Sequence, residues 1–243
     1  MALAEGSLQN ERLSGARIFS YDLFLTEPYF KDYLSTEDGD VTGSLLPEFL
    51  ELVQPYADRV APCAGDLLSL RWRRNPIAVL FVDIAKSWEL MSHVFKNFFP
   101  CLEVGALVVH QDYVWHAEWW IHVYMSWLHE YFEPVEYAFG ATCVFRYTKK
   151  IPDELFEVDP ATWGQDRWLV AMRENIPRHP EFTHKCFKMG IAEMLASSGS
   201  KQEALDVVAE IEAIPLIEAP AWHNFEQTPH YNLQPQKERF EAL

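Results

Sequence analysis

The chain has 243 residues, 49% of them hydrophobic, enough for one α/β domain with an appendage and a sizeable core. A formal net charge of -16 argues against nucleic acid or an anionic membrane as the main partner, because both repel an acidic surface. Cys63, Cys101, Cys143 and Cys186 are scattered with no CxxC pair, the pattern of small apolar core residues in a reducing compartment. No apolar run reaches membrane-spanning length and no basic, hydrophobic leader opens the chain, so a cytoplasmic protein is expected.

Met1 to Leu13 reads as the tail of an amphipathic helix closed by Ser14-Gly15. Ala16 to Tyr21 is a short strand ending at Asp22, followed by a loop and a helix around Leu46 to Tyr56. Arg59 to Cys63 forms a further short strand ending at Gly65-Asp66. The stretch from Asn75 to Trp115 organises the rest. Ile77 to Val82 (IAVLFV) is a continuous apolar run, the signature of a strand buried on both faces, and it stops at Asp83. Leu90, Met91, Val94, Phe95 and Phe98 then recur at helical spacing. Ala106 to Val109 is a second buried strand, ending in His110, Gln111 and Asp112. His116 to Phe132 reads as a long aromatic helix, and Val135 to Ala138 with Thr142 to Tyr147 as an antiparallel pair around Gly140.

Alternating strands and helices predict a mainly parallel, Rossmann-like, doubly wound sheet with helices on both faces over residues 1–150. In such sheets ligands bind at the carboxyl ends of the strands, so Asp83, Lys86, Gln111 and Asp112 are expected on one rim. From Ile151 the character changes. Asp159-Pro160 opens a helical segment, and Phe182 to Ser197 with Lys201 to Ile211 resembles a helical hairpin turning at Ser198-Gly199-Ser200. One tetratricopeptide-flavoured pair is not a repeat array, so residues 151–213 read as a helical appendage. Residues 214–243 hold four prolines without a period and read as an extended tail that wraps its own domain or a partner subunit.

The succession Asp22, Asp66, Asp83, Asp112 at strand ends resembles the class I S-adenosylmethionine-dependent methyltransferases over roughly residues 1–150, nearest the small-molecule O-methyltransferases of the macrocin and catechol types. The resemblance implies that Asp22 of SYDLF takes the ribose hydroxyls and that Gly65-Asp66 of CAGDLL lies near the adenine. A carboxylate accepting two hydrogen bonds suits a vicinal diol. VDIAKSW is similar to the Asp-x-x-Lys segment of the catechol type, and GALVVHQDYVW to the segment with Asp-Asn metal ligands. These similarities imply a divalent metal such as Mg2+ on Asp83, Gln111 and Asp112, with Lys86 assisting deprotonation of the acceptor hydroxyl. His110, near the same rim, is an alternative base.

Three departures stand beside this. DIAKSWE lacks an acidic group and the histidine of the macrocin-like motif, and Gln111 replaces an expected carboxylate. No GxGxG-like turn lies between Met1 and Asp22, where the family places the methionine end of its cofactor after a first strand that sits mid-sheet. The resemblance then implies either a sequence that starts beyond that turn or a domain that has lost the conventional pocket.

Blander readings accompany each residue. Asp22 and Asp66 also suit turns or helix caps, and Asp83 with Lys86 a salt bridge at a helix start. His110, His116, His122 and His129, six and seven apart, lack the i, i+4 spacing of a zinc pair. Trp115, Trp119, Trp120 and Trp127 read mainly as core, with Trp115 the candidate platform for a sugar or aromatic acceptor, and Arg71-Trp72-Arg73-Arg74 as a solvated loop. No 2-His-1-carboxylate pattern is legible, which disfavours an iron-dependent hydroxylase. The expected function is therefore O-methyl transfer to a small-molecule hydroxyl, with a homo-oligomer allowed. The alternative is a catalytically silent module that binds a protein through its helical part.

Overall fold

A computed structural model describes residues 2–9, 15–25, 43–138, 141–215 and 233–243. The chain divides into two compact units, Met1–Arg71 and Trp72–Leu243. The boundary expected near residue 150 falls inside the second.

In the first unit, helix α1 (Ala2–Gln9) buries Ala4 and Ser7. Strand β1 (Ile18–Asp22) runs parallel to β2 (Val60–Ala64), in register from Ile18 opposite Val60 to Asp22 opposite Ala64. Helix α2 (Leu46–Val53) lies between them in sequence and carries Pro47 in its first turn, where a missing N–H costs nothing. The loop expected after Asp22 lies mostly outside the described residues.

The second unit holds a four-stranded sheet in the order β3 (Ile77–Val82), β4 (Leu102–His110), β6 (Thr142–Tyr147), β5 (Phe132–Ala138). Only β3 and β4 are parallel; β4–β6 and β5–β6 are antiparallel. The expected single, mainly parallel sheet is thus replaced by a parallel pair and a mixed sheet. The short β5–β6 connection permits only a hairpin, and β6 then pairs with β4 in the opposite sense. Strand β4 is longer than expected. It bulges between its pairings with Ile77 and Val79, where Gly105 adopts a φ of +97° that side chains other than glycine resist.

Helix α3 (Trp88–Asn97) forms the β3–β4 crossover. Ser87 caps it, its Oγ accepting from the Leu90 N–H at 3.2 Å, and Met91, Val94 and Phe95 are buried at the expected spacing. Phe95 meets Phe99, Tyr124, Trp127 and Phe156 with ring centroids 5.0 to 5.5 Å apart, an edge-rich aromatic cluster. The aromatic helix α4 is shorter than expected, Trp119–Trp127, and buried on most sides.

Helices α5 (Gln165–Asn175), α6 (His184–Ser197), α7 (Lys201–Ala213) and α8 (Gln234–Ala242) share one core with α4, including Trp119, Val123, Met172, Met189, Leu195, Val208 and Phe240. The expected α6–α7 hairpin is present, with Gly199 at φ +84° in its turn. The end of the expected extended tail is instead helical. Phe240 is fully buried, and Lys237 and Arg239 pair with Glu212 and Glu193, which anchors α8 despite its preceding prolines. Residues 216–232 of that tail lie outside the described residues. Among the described residues no helix is long and apolar enough to cross a membrane.

Close approach of α4 and α6 depends on Gly190. A Cβ there would sit 3.0 Å from Nδ1 of His122 and 3.3 Å from the Met172 methyl. The His122 ring is fully buried and held by the Tyr113 carbonyl at 2.7 Å, so it cannot yield. Gly190→Ala is therefore expected to destabilise. Overpacking of about 1–3 kcal/mol exceeds the roughly 1 kcal/mol gained in helix propensity, which urea titration would read as a lower midpoint.

Candidate functional site

Past the bulge in β4 the register is unbroken from Val79 opposite Leu107 to the strand ends, and this builds the rim of the second unit. Val82 lies opposite His110, and the Gln111 N–H donates to the Val82 carbonyl at 3.0 Å. Asp83, Gln111 and Asp112 consequently emerge together. The loop between β3 and α3 is fixed from behind, since Ala85 is buried and its carbonyl accepts the Trp120 indole N–H at 2.7 Å. That places Lys86 between two acids. Its ammonium donates to Asp112 and lies 3.4 Å from Asp83. The four rim residues expected together are together.

Partial burial works to lower the Lys86 pKa, but the hydrogen bond to Asp112 and the charges of Asp112, Asp83 and Glu118 outweigh it and hold the group above its ordinary 10.5. Lys86 is therefore charged at neutral pH. As a cation it has no lone pair to take a proton, and it can assist deprotonation of a hydroxyl by stabilising the anion that results.

Glu118, just before α4, is the rim residue that sequence reasoning missed. Burial, then the nearby Asp112 charge, raises its carboxyl above the usual range, and its Oε2 is buried with no hydrogen-bond partner among the described residues. A carboxylate so placed is the better proton acceptor. No periodic pattern singles it out, because it sits in the turn that leads into a helix.

The ring of His110 does not reach the rim. It is 0% exposed, faces Tyr113 and Phe145, and burial lowers its pKa to about 3. This corrects the expected base role, since a ring sealed in the core meets no substrate. The signal was available: Ala106, Val108 and His110 alternate onto one buried face of β4.

The implied divalent metal does not fit this arrangement. The Lys86 ammonium stands between Asp83 and Asp112, and among the described residues no three His, Cys, Asp or Glu side chains are grouped to hold a metal. Asp112 is already satisfied by a cation, and a second one would have to displace it.

Tyr113 anchors the rim from below. Its fully buried hydroxyl accepts from Asn175 Nδ2 at 2.8 Å and donates to His179 Nε2 at 2.8 Å, while its carbonyl takes His122 Nε2. His179 in turn bonds Tyr137 through Nδ1, which suits the neutral Nδ1–H tautomer. Tyr113→Phe takes the hydroxyl partner from Asn175 Nδ2 and from His179 Nε2 in the core, leaving His179 its bond to Tyr137. A loss of about 1–3 kcal/mol is expected in denaturant titration.

In the first unit, Asp22 and Gly65-Asp66 end neighbouring parallel strands, and the Gly65 N–H donates to the Asp22 carbonyl at 3.0 Å. Asp22 Oδ1 accepts the Phe24 N–H at 2.7 Å, and Phe24 adopts a φ of +51°. Asp66 Oδ1 accepts the Leu68 N–H at 3.0 Å, the capping role weighed above. A Cβ built on Gly65 would meet nothing within 4 Å among the described residues.

Fold and rim together define an α/β protein with a mixed four-stranded sheet, an ion-paired acidic rim and C-terminal helices. No family model matches the chain, and no curated protein matches it.

Proposed function

We propose that the chain is a methyltransferase-like protein that moves a methyl group from S-adenosylmethionine to a hydroxyl of a small molecule, a sugar or other natural-product acceptor. One observation carries the reading: acidic side chains close the carboxyl ends of both parallel pairs, Asp22 beside Gly65-Asp66 and Asp83 beside Asp112. Strand carboxyl ends are where open α/β sheets bind ligands. When bound, S-adenosylmethionine supplies an electrophilic methyl on a sulfonium sulfur. The second oxygen of Asp22 accepts from a ribose hydroxyl, since its partner oxygen already holds Phe24. The rim of the second unit, taken by itself, offers Glu118 as the group that takes a hydroxyl proton and Lys86 as the cation that stabilises the resulting oxyanion.

Isothermal calorimetry with S-adenosylmethionine tests this. Binding is expected, weakened roughly 10- to 100-fold by Asp22→Ala, as befits a lost charge-assisted hydrogen bond. No binding removes the enzyme reading. It would leave the second one, a silent module acting in protein interaction.

A further inference from the structure

The two edges of the four-stranded sheet are built differently. Strand β5 carries Glu133, Pro134 and Glu136 with a register shift beside the proline, the usual devices that keep an edge from pairing. Strand β3, at the other edge, reads Ile-Ala-Val-Leu-Phe-Val and has none of them. Val79 is 42% exposed and Phe81 51% exposed on its one face, and Ala78 is exposed on the other. The Val82 carbonyl points to β4, so by alternation the N–H and C=O groups of Val79 and Phe81 point outward. No described strand pairs with them.

We propose that this edge pairs with β3 of a second copy, antiparallel about a two-fold axis normal to the sheet at Val79. Two features select that occupant. Such an axis sets Val79 opposite Val79 and Ile77 opposite Phe81, matching apolar residues on the same face in both copies. It also sets Asn75 opposite Asp83, so the Arg73-Arg74 end of one copy lies toward the Asp83 carboxylate of the other. A parallel copy would put arginines beside arginines. Pro76 does not interrupt the ladder, because alternation turns its position toward β4. The result is one continuous eight-stranded sheet, a closed dimer with no exposed apolar edge left at β3.

Sedimentation velocity from low to high micromolar concentration, with physiological salt to screen the repulsion between acidic chains, tests the proposal. A concentration-dependent dimer is expected, with a dissociation constant raised roughly tenfold or more by Phe81→Lys, a solvent-facing change that circular dichroism would show to be folded. Val79→Cys is expected to give a disulfide-linked dimer under mild oxidation, because opposed residues in this register lie within disulfide reach; Val170→Cys, exposed on α5, is not. A monomer at every concentration overturns the proposal, and so does a dimer that survives Phe81→Lys while Val79→Cys fails to cross-link. Neither measurement depends on S-adenosylmethionine.

Discussion

Acidification from about pH 7 to about pH 5 is expected to destabilise the second unit by several kcal/mol, well before most carboxylates titrate. Five histidines are buried there, and four of them, His110, His116, His122 and His179, are held well below the ordinary imidazole range. Burial is the main cause in each case: it lowers His110, His122 and His179 to about 3 and His116 to about 4. Like charge adds to it, from Arg239 on His116, from His179 and His116 on His122, and from His184 and Arg178 on His179. Both ring nitrogens of His110 and of His116 lack a hydrogen-bond partner among the described residues, so a proton there would have nothing to share its charge.

The sign follows from linkage. Each folded pKa lies below the unfolded value of about 6.5, so the unfolded chain binds protons first as pH falls. The stability these groups contribute is complete above about pH 6.5 and declines below it, toward the folded values near 3 and 4. Near pH 5 each histidine gives up roughly 2 kcal/mol, together a large part of a domain's usual 5–15 kcal/mol. Urea midpoints measured across this range check it, and a flat profile would contradict the buried neutral rings. His110→Leu is expected to flatten the slope by about one proton, since the apolar core around Phe145 accepts leucine at any pH.

The second large effect concerns Lys86. If the proposed methyl transfer holds, Lys86→Met is expected to lower it by roughly 10²- to 10⁴-fold while leaving S-adenosylmethionine affinity nearly unchanged, because the proposal sets Lys86 on the acceptor oxygen. Transfer of labelled methyl to a panel of hydroxyl acceptors reads the first quantity and calorimetry the second. The same variant leaves Asp83, Asp112 and Glu118 facing one another without a cation. It is then expected to gain a melting-temperature rise with Mg2+ that the wild-type chain lacks. A wild-type chain that already responds to Mg2+ as strongly would mean that the metal displaces the lysine.

Much of this rim was legible in the chain. IAVLFV and ALVV are long enough and apolar enough to be strands whatever surrounds them. A strand pair joined by a helix runs parallel, so Asp83 and Asp112 were bound to emerge side by side. Ser87 marked the start of α3 because capping is local chemistry. The α6–α7 hairpin was legible for the same reason, in its helical spacing and its Ser-Gly-Ser turn.

Tertiary structure decided the rest. Whether a lysine beside two carboxylates serves as base or cation depends on how many acids reach it, and Glu118 arrives from a turn 32 positions along the chain that no periodicity marks. Whether a strand-end histidine meets water depends on which face of β4 the helices cover, and they cover the face of His110. The sheet became mixed because β6 pairs with β4, a long-range choice between sheet edges that local pattern does not carry. Helix α8 formed for a similar reason: a short, polar, proline-led segment is marginal alone, and burial of Phe240 against the helical core stabilises it.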